Sequence, residues 1–67
     1  MIEPKLDVDT LEYIRDCLMI EVDFHKEESE MYAKRGDYYD ADRSDNKRSA
    51  LQHFKEIVEH LIKQREV

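Results

Sequence analysis

A single glycine near the middle of the chain constrains the fold more than any other residue. Gly36 follows a run of helix-compatible residues that ends in Lys34 and Arg35. Glycine adopts the left-handed conformation that ends many helices without steric cost, and cations complement the negative end of the helix dipole. Asp37 comes next and can cap a second helix. The pattern therefore predicts that the chain reverses at this point.

The composition predicts an all-α protein with one domain over residues 1–67. Charged residues make up 42% of the chain, and there is one proline, a composition that suits long solvated helices. The expected elements are a first helix over about 10–35, a turn at 36–37 and a second helix over about 38–65. Asp9 or Thr10 is the expected N-cap. The fold class is an antiparallel two-helix hairpin, with one long helix through Gly36 as the alternative, at a cost of about 1 kcal/mol.

The first helix is apolar over about 200° of its circumference, more than one partner helix can cover. One stripe is expected to pack on the second helix: Leu11, Ile14, Leu18 and Val22, continued by His25, Ser29 and Tyr32. The other is called the outer stripe: Tyr13, Cys17, Ile20, Phe24 and Met31. We predict that the outer stripe is an interface through which two hairpins form a homodimeric four-helix bundle. Alternatively, the second helix covers part of it.

The second helix is apolar only in its C-terminal half. Its predicted packing face is Ala50, Leu51, Phe54, Ile57, Val58, Leu61 and Ile62. In a hairpin about Gly36, the numbers of opposed residues sum to about 72, which places Phe54 against Leu18. We expect the apolar core at the open end of the hairpin and polar pairing near the turn.

A polar layer is predicted in the middle of the hairpin. Glu21, His25 and Glu28 face the apolar arc of the first helix, with Arg43 and Lys47 opposite them on the second. Carboxylates and an imidazole on helix faces can bind a metal, but cations rather than further carboxylates stand opposite, and the His-x-x-Glu order reverses the di-iron pattern. A structural charged layer that fixes the register is therefore favoured.

The sequence predicts no enzyme, no cofactor and no bound metal. No serine or cysteine has a neighbouring base, and one glycine cannot form a phosphate-binding loop. A two-helix hairpin also lacks the concave pocket of most enzymes. His53, Glu56 and His60 lie on one face of the second helix, and we interpret them as a chance surface cluster.

Cysteine usage and hydropathy predict a cytoplasmic protein that makes no membrane contact. The one cysteine, Cys17, cannot form an internal disulfide, which indicates a reducing compartment or an intermolecular bridge. We interpret its side chain as a small buried apolar group rather than a reactive thiol. The chain has no apolar run near 18 residues and no signal peptide.

Charge is divided unevenly within the net charge of −6. Residues 1–30 hold ten acidic and three basic residues, whereas residues 31–67 hold seven and eight. The acidic first half disfavours direct binding to nucleic acid, which needs a basic stripe. It leaves open a different function, in which acidic side chains imitate phosphates and block a nucleic-acid-binding protein.

The segment from Ala33 to Ala41, followed by Ala50 and Leu51, resembles small uncharacterised helical proteins of phages and mobile elements. In length and outline the chain also looks like the helical-hairpin co-chaperones of type III secretion needle subunits. The phage resemblance implies that the partner is a host protein and that binding inhibits it.

The sequence therefore predicts a non-enzymatic protein–protein interaction module that acts by helix packing through the outer stripe. Its partners are itself, as a homodimer, and a host or other partner protein. The alternatives are an acidic nucleic-acid mimic and a metal-binding helical bundle.

Overall fold

The chain reverses at Gly36 in the computed structural model, which describes residues 6–66. Gly36 has a φ of 80°, in the left-handed region. The backbone N–H of Gly36 donates to the carbonyl of Ala33 (3.1 Å), and that of Asp37 donates to the carbonyl of Tyr32 (2.9 Å). These two bonds satisfy carbonyls that a helix end leaves unpaired. The predicted glycine cap is confirmed, and the alternative of one continuous helix is wrong.

Two long helices flank this turn. Helix α1 runs over Val8–Lys34 and helix α2 over Tyr38–Arg65, and residues 6–66 contain no strand. The predicted all-helical fold is confirmed. Only three residues join α1 to α2, and the two helices pack side by side as a hairpin.

The N-terminus of α1 differs from the prediction. The N-cap is Asp7, whose Oδ1 accepts a 2.7 Å hydrogen bond from the backbone N–H of Thr10. The predicted caps, Asp9 and Thr10, lie inside the first turn instead. Both aspartates have capping chemistry, and a start at Val8 leaves the charge of Asp9 in the first turn, where it complements the positive end of the helix.

The residues that line the seam between the helices recur every three or four positions in both α1 and α2. The inward residues are 11, 15, 18, 22, 25, 29 and 32 of α1 and 41, 44, 48, 51, 55, 58 and 62 of α2, all at least half-buried. Leu11 and Ile62 are buried at the open end. Near the turn, Ser29 Oγ donates to the carbonyl of Ala41 (3.0 Å) and Ser44 is buried. Larger apolar groups thus fill the open end and polar contacts the turn end, as predicted.

The packing face of α2 is rotated from the predicted one. Phe54, expected against Leu18, is 58% exposed, and Ile57 and Ala50 are exposed too. Lys55 takes the seam position instead and directs its Nζ to Glu59 at 3.4 Å. A lysine stem can cover apolar surface while its charge stays in water. When the inward residues are paired in order from the turn (32 with 41) to the open end (11 with 62), their numbers sum to 73, close to the predicted 72.

The hairpin is a single layer of helices. Its dimensions are 48 × 24 × 14 Å, so the thinnest is close to the diameter of one helix. Both broad sides of the layer therefore face outward. Between residues 6 and 66, no helix has an apolar stretch long enough to cross a membrane.

Candidate interaction surfaces

The outer stripe lies on the surface along its whole length. All five residues are exposed, with Ile20 at 69% and Phe24 at 55% of the maximum. The seam residues of α1 alternate with them along the sequence, which places the outer stripe on the flank and back of α1. The helix-2 coverage considered as an alternative does not occur. This also corrects the interpretation of Cys17 as buried, since its thiol is free and exposed.

The two broad sides of the hairpin can be assigned from the clefts between the helices. A cleft of about 180 Å³ near the turn is lined by Glu28 and Tyr32 of α1 and by Asp40, Arg43, Ser44 and Lys47 of α2. Glu28 and Lys47 therefore lie on the same broad side. Residues four or seven apart lie on the same side of a helix. Phe24 is four residues from Glu28 and lines one surface depression with it, and Phe54 is seven residues from Lys47, so this side continues through both phenylalanines toward the open end.

This assignment brings exposed apolar residues of both helices onto one broad side. We call this surface the composite face: Cys17, Phe24, Ala50, Phe54 and Ile57, all exposed. The half-buried Leu61, seven residues from Phe54, and Ile14, three residues from Cys17, lie along its middle. The composite face thus extends the outer stripe across the groove onto α2.

The opposite broad side is charged. It carries a cleft of about 420 Å³ near the open end, lined by Arg15, Met19, Lys55, Glu59, Ile62, Lys63 and Glu66. Two of its cations are paired, Arg15 with Asp16 at 3.3 Å and Lys55 with Glu59. The two sides of the layer therefore differ in chemistry, and only one of them presents aromatic and aliphatic side chains in series.

His25 is the centre of the predicted polar layer. Its Nε2 lies 3.6 Å from Glu21 Oε2, and its Nδ1 lies 3.5 Å from Glu28 Oε1. The Phe24 ring meets the imidazole edge-on, with centroids 5.2 Å apart. Nδ1 is buried and makes no hydrogen bond to any residue in the described range 6–66. The imidazole is thus held by packing on one side and by carboxylates on the other.

Glu28 connects the layer to α2. The Ser44 hydroxyl donates a 2.7 Å hydrogen bond to Glu28 Oε1 and is the main cause that lowers the pKa of this carboxyl from its ordinary value. The His25 ring and the charge of Lys47 act in the same direction, against partial desolvation. A hydrogen bond to the ionised form favours that form. Glu28 is therefore a carboxylate at neutral pH and fixes the two helices across the seam.

Other members of the predicted layer lie outside it. Glu21 is 58% exposed at its side chain, and Arg43 and Lys47 are exposed. The guanidinium of Arg43 instead lies over the Tyr39 ring, 5.9 Å from its centroid, a cation–π arrangement. In a single-layer hairpin these positions border the seam rather than enter it, so long charged side chains extend into solvent.

Neither histidine cluster is arranged as a metal centre. Within residues 6–66, no group of three or more His, Cys, Asp or Glu side chains is placed to hold an ion. His60 Nε2 lies 3.1 Å from Gln64 Nε2, and Glu56 accepts from Gln52 at 3.5 Å. These side chains pair along the surface of α2 with glutamines.

Sequence reasoning did not predict that Phe54 and Ile57 are exposed. A signal for it was present, because positions 41, 44, 48, 51, 55, 58 and 62 continue one three-and-four seam through the whole of α2. A face chosen from apolar residues alone excludes the serine, arginine and lysine of that seam.

No protein-family model matches the chain, and comparisons with curated proteins and with solved structures find no significant match.

Proposed function

We propose that this chain is a non-enzymatic, cytoplasmic module that binds other proteins by helix packing through the outer stripe. One observation carries the proposal: large apolar side chains stand exposed at helical spacing along most of α1. A surface of Tyr, Ile, Phe and Met has the composition of an interface centre, where charged residues are depleted. The resemblance to phage-encoded hairpins adds the proposal that the bound protein belongs to a host and is inhibited.

Apolar packing and phosphate mimicry would use different side chains of α1 and predict different salt dependence of binding. The mimic would bind through acidic side chains, and its affinity would fall steeply as salt rises. Helix packing would depend on Ile20 and Phe24 and would be nearly insensitive to salt. The exposed apolar series favours packing, because acidic recognition gives no reason for aromatic and aliphatic residues on the same surface.

Site-specific photo-crosslinking in a lysate of the cell of origin, irradiated at low and at high salt, tests the proposal. A photoreactive amino acid at Ile20, in the outer stripe, is compared with the same group at His53, an exposed position on the back of α2. We expect protein adducts at Ile20 that form in equal yield when irradiation takes place at high salt, and none at His53. Equal labelling at both positions, or adducts at Ile20 that form only at low salt, would overturn the proposal.

A further inference from the structure

We propose that a second copy of this chain covers the composite face, with each α1 lying on the α2 of the other copy. The inference rests on the proposed function and names one partner for a surface that shares Cys17 and Phe24 with the outer stripe. It differs from a dimer built on α1 alone, because Phe54 and Ile57 of α2 contribute as much of the face as Cys17 and Phe24 do. The product is a four-helix bundle with both turns at one end.

The exposed area of the hairpin fits a dimer of this kind. The chain exposes 5558 Å², whereas a compact monomer of 8.1 kDa exposes roughly 4500 Å². The excess of about 1000 Å² is close to the roughly 800 Å² per partner that a standard interface buries. Because the composite face occupies one broad side and the other is charged, pairing stops at two layers.

Two twofold arrangements can stack the composite faces, and charge separates them. Helix α1 holds eight acidic and three basic residues, whereas α2 holds five and six. A twofold axis across the helices would place α1 on α1, acidic on acidic, and would put the apolar half of each face on the charged half of the other. An axis along the helices places α1 on α2 and matches the apolar halves.

Side-chain size and charge also match in the second arrangement. An axis along the helices preserves height, so a residue of α1 meets the residue of the second copy's α2 whose number completes a sum of about 73. Phe24 then lies opposite Ala50, a large side chain on a small one. Cys17 lies opposite Ile57, and Glu28 lies near Lys47.

Molecular mass in solution is the first test. Phe54→Asp places a charge in the composite face at an exposed position, so the hairpin itself has no reason to unfold. We expect the wild type to sediment as a dimer and this variant to dissociate at least about tenfold more readily. His53→Asp, one residue away on the back of α2, is the matched control and should remain dimeric. A wild-type monomer at all concentrations would overturn the inference.

A disulfide tests which helices meet. In Ile57→Cys, native Cys17 on α1 and the new cysteine on α2 are both exposed and outside the seam, which disfavours an internal disulfide, since that bond needs Cα atoms within roughly 7 Å of each other. Mild oxidation should therefore give a covalent dimer with mapped bonds between positions 17 and 57 of different copies. The same oxidation of His53→Cys should give no such bond. A dimer in which Ile57→Cys does not cross-link would refute this geometry.

The outcomes separate this inference from the proposed function. If the chain is monomeric while the crosslinker at Ile20 still labels another protein without regard to salt, the second copy is ruled out and the interaction module stands. If the chain dimerises through positions 17 and 57 but Ile20 labels nothing, the bundle stands and binding of other proteins through the outer stripe fails.

Discussion

Replacing Gly36 with alanine distinguishes the hairpin from a continuous helix by the sign of the change in stability. In the hairpin, residue 36 has a φ of 80°, a conformation that costs an L-residue about 1–2 kcal/mol relative to a right-handed one. No described atom lies within 4 Å of the position that a Cβ would take. The cost is therefore backbone strain alone, with no steric clash to add. In a continuous helix, the same substitution would stabilise by about 1 kcal/mol.

Urea denaturation followed by circular dichroism measures this change. We expect Gly36→Ala to lower the free energy of unfolding by about 1–2 kcal/mol, and the melting temperature by roughly 4–8 °C for each kcal/mol. Gly36→Asn should lose less, because asparagine tolerates the left-handed region better than alanine does. All variants must be compared at one protein concentration, since self-association raises apparent stability.

A control shows that alanine is not harmful in general. Ser49 is an exposed residue inside α2, and Ser49→Ala should be neutral or slightly stabilising because alanine has the higher helix propensity. If Gly36→Ala were stabilising to a similar degree, residue 36 would be helical and the turn described above would be wrong. An unchanged free energy of unfolding would equally refute the left-handed cap, because alanine in that conformation must lower the stability of the hairpin.

Three further predictions follow from the seam and the carboxylates. Leu11→Ala should destabilise by about 2–5 kcal/mol in urea denaturation, since Leu11 is 1% exposed, whereas Tyr13→Ala, on the surface, should change the hairpin by less than about 0.5 kcal/mol. Folding lowers the pKa values of Asp7 and Glu28, so the stability that these carboxylates contribute is complete above their unfolded pKa values and should be lost as the pH falls below about 4.5. In thermal melts, the melting temperature of Ser44→Ala should fall less steeply with acid than that of the wild type. The same dependence of melting temperature on pH in both proteins would contradict the role of this hydroxyl. If the dimer forms, a hundredfold rise in protein concentration should stabilise it by about 2.7 kcal/mol, and a constant melting temperature would argue for a monomer.

The turn and the helices were predictable because their signals are local. Gly36 with two preceding cations specifies a helix end within four residues, whatever the rest of the chain does. The N-cap was not predicted because Asp7 and Asp9 both offer a capping carboxylate two residues apart, and the sequence pattern does not choose between them. Several residue types can cap a helix, and neighbouring positions often carry more than one of them.

The rotation of α2 could not be predicted from its apolar residues. Its C-terminal half is apolar over so broad an arc that a seam centred on Phe54 and one centred on Lys55 satisfy the pattern almost equally. The choice depends on the partner helix and on the seam near the turn, where Ala41 and Ser44 are the small residues that allow close approach. The candidate surface on α2 was missed for this reason. The outer stripe of α1 was predicted because the apolar arc of α1 is too wide for one partner helix to cover.

The hairpin by itself does not require the residues of the composite face. Leu11 and Ile62 are the large apolar side chains that are buried among residues 6–66, and the seam also contains two serines, two arginines, a lysine and a histidine. Glutamate or lysine at Phe54 would leave the described hydrogen bonds of the seam in place, and at Phe24 it would remove the edge-on contact with His25 but no hydrogen bond. Aromatic rings at these two exposed positions, on the same broad side of two different helices, are the observation on which the proposed second copy rests. A partner that packs on that side is the simplest reason for these rings, because exposed aromatic surface otherwise brings only a risk of aggregation.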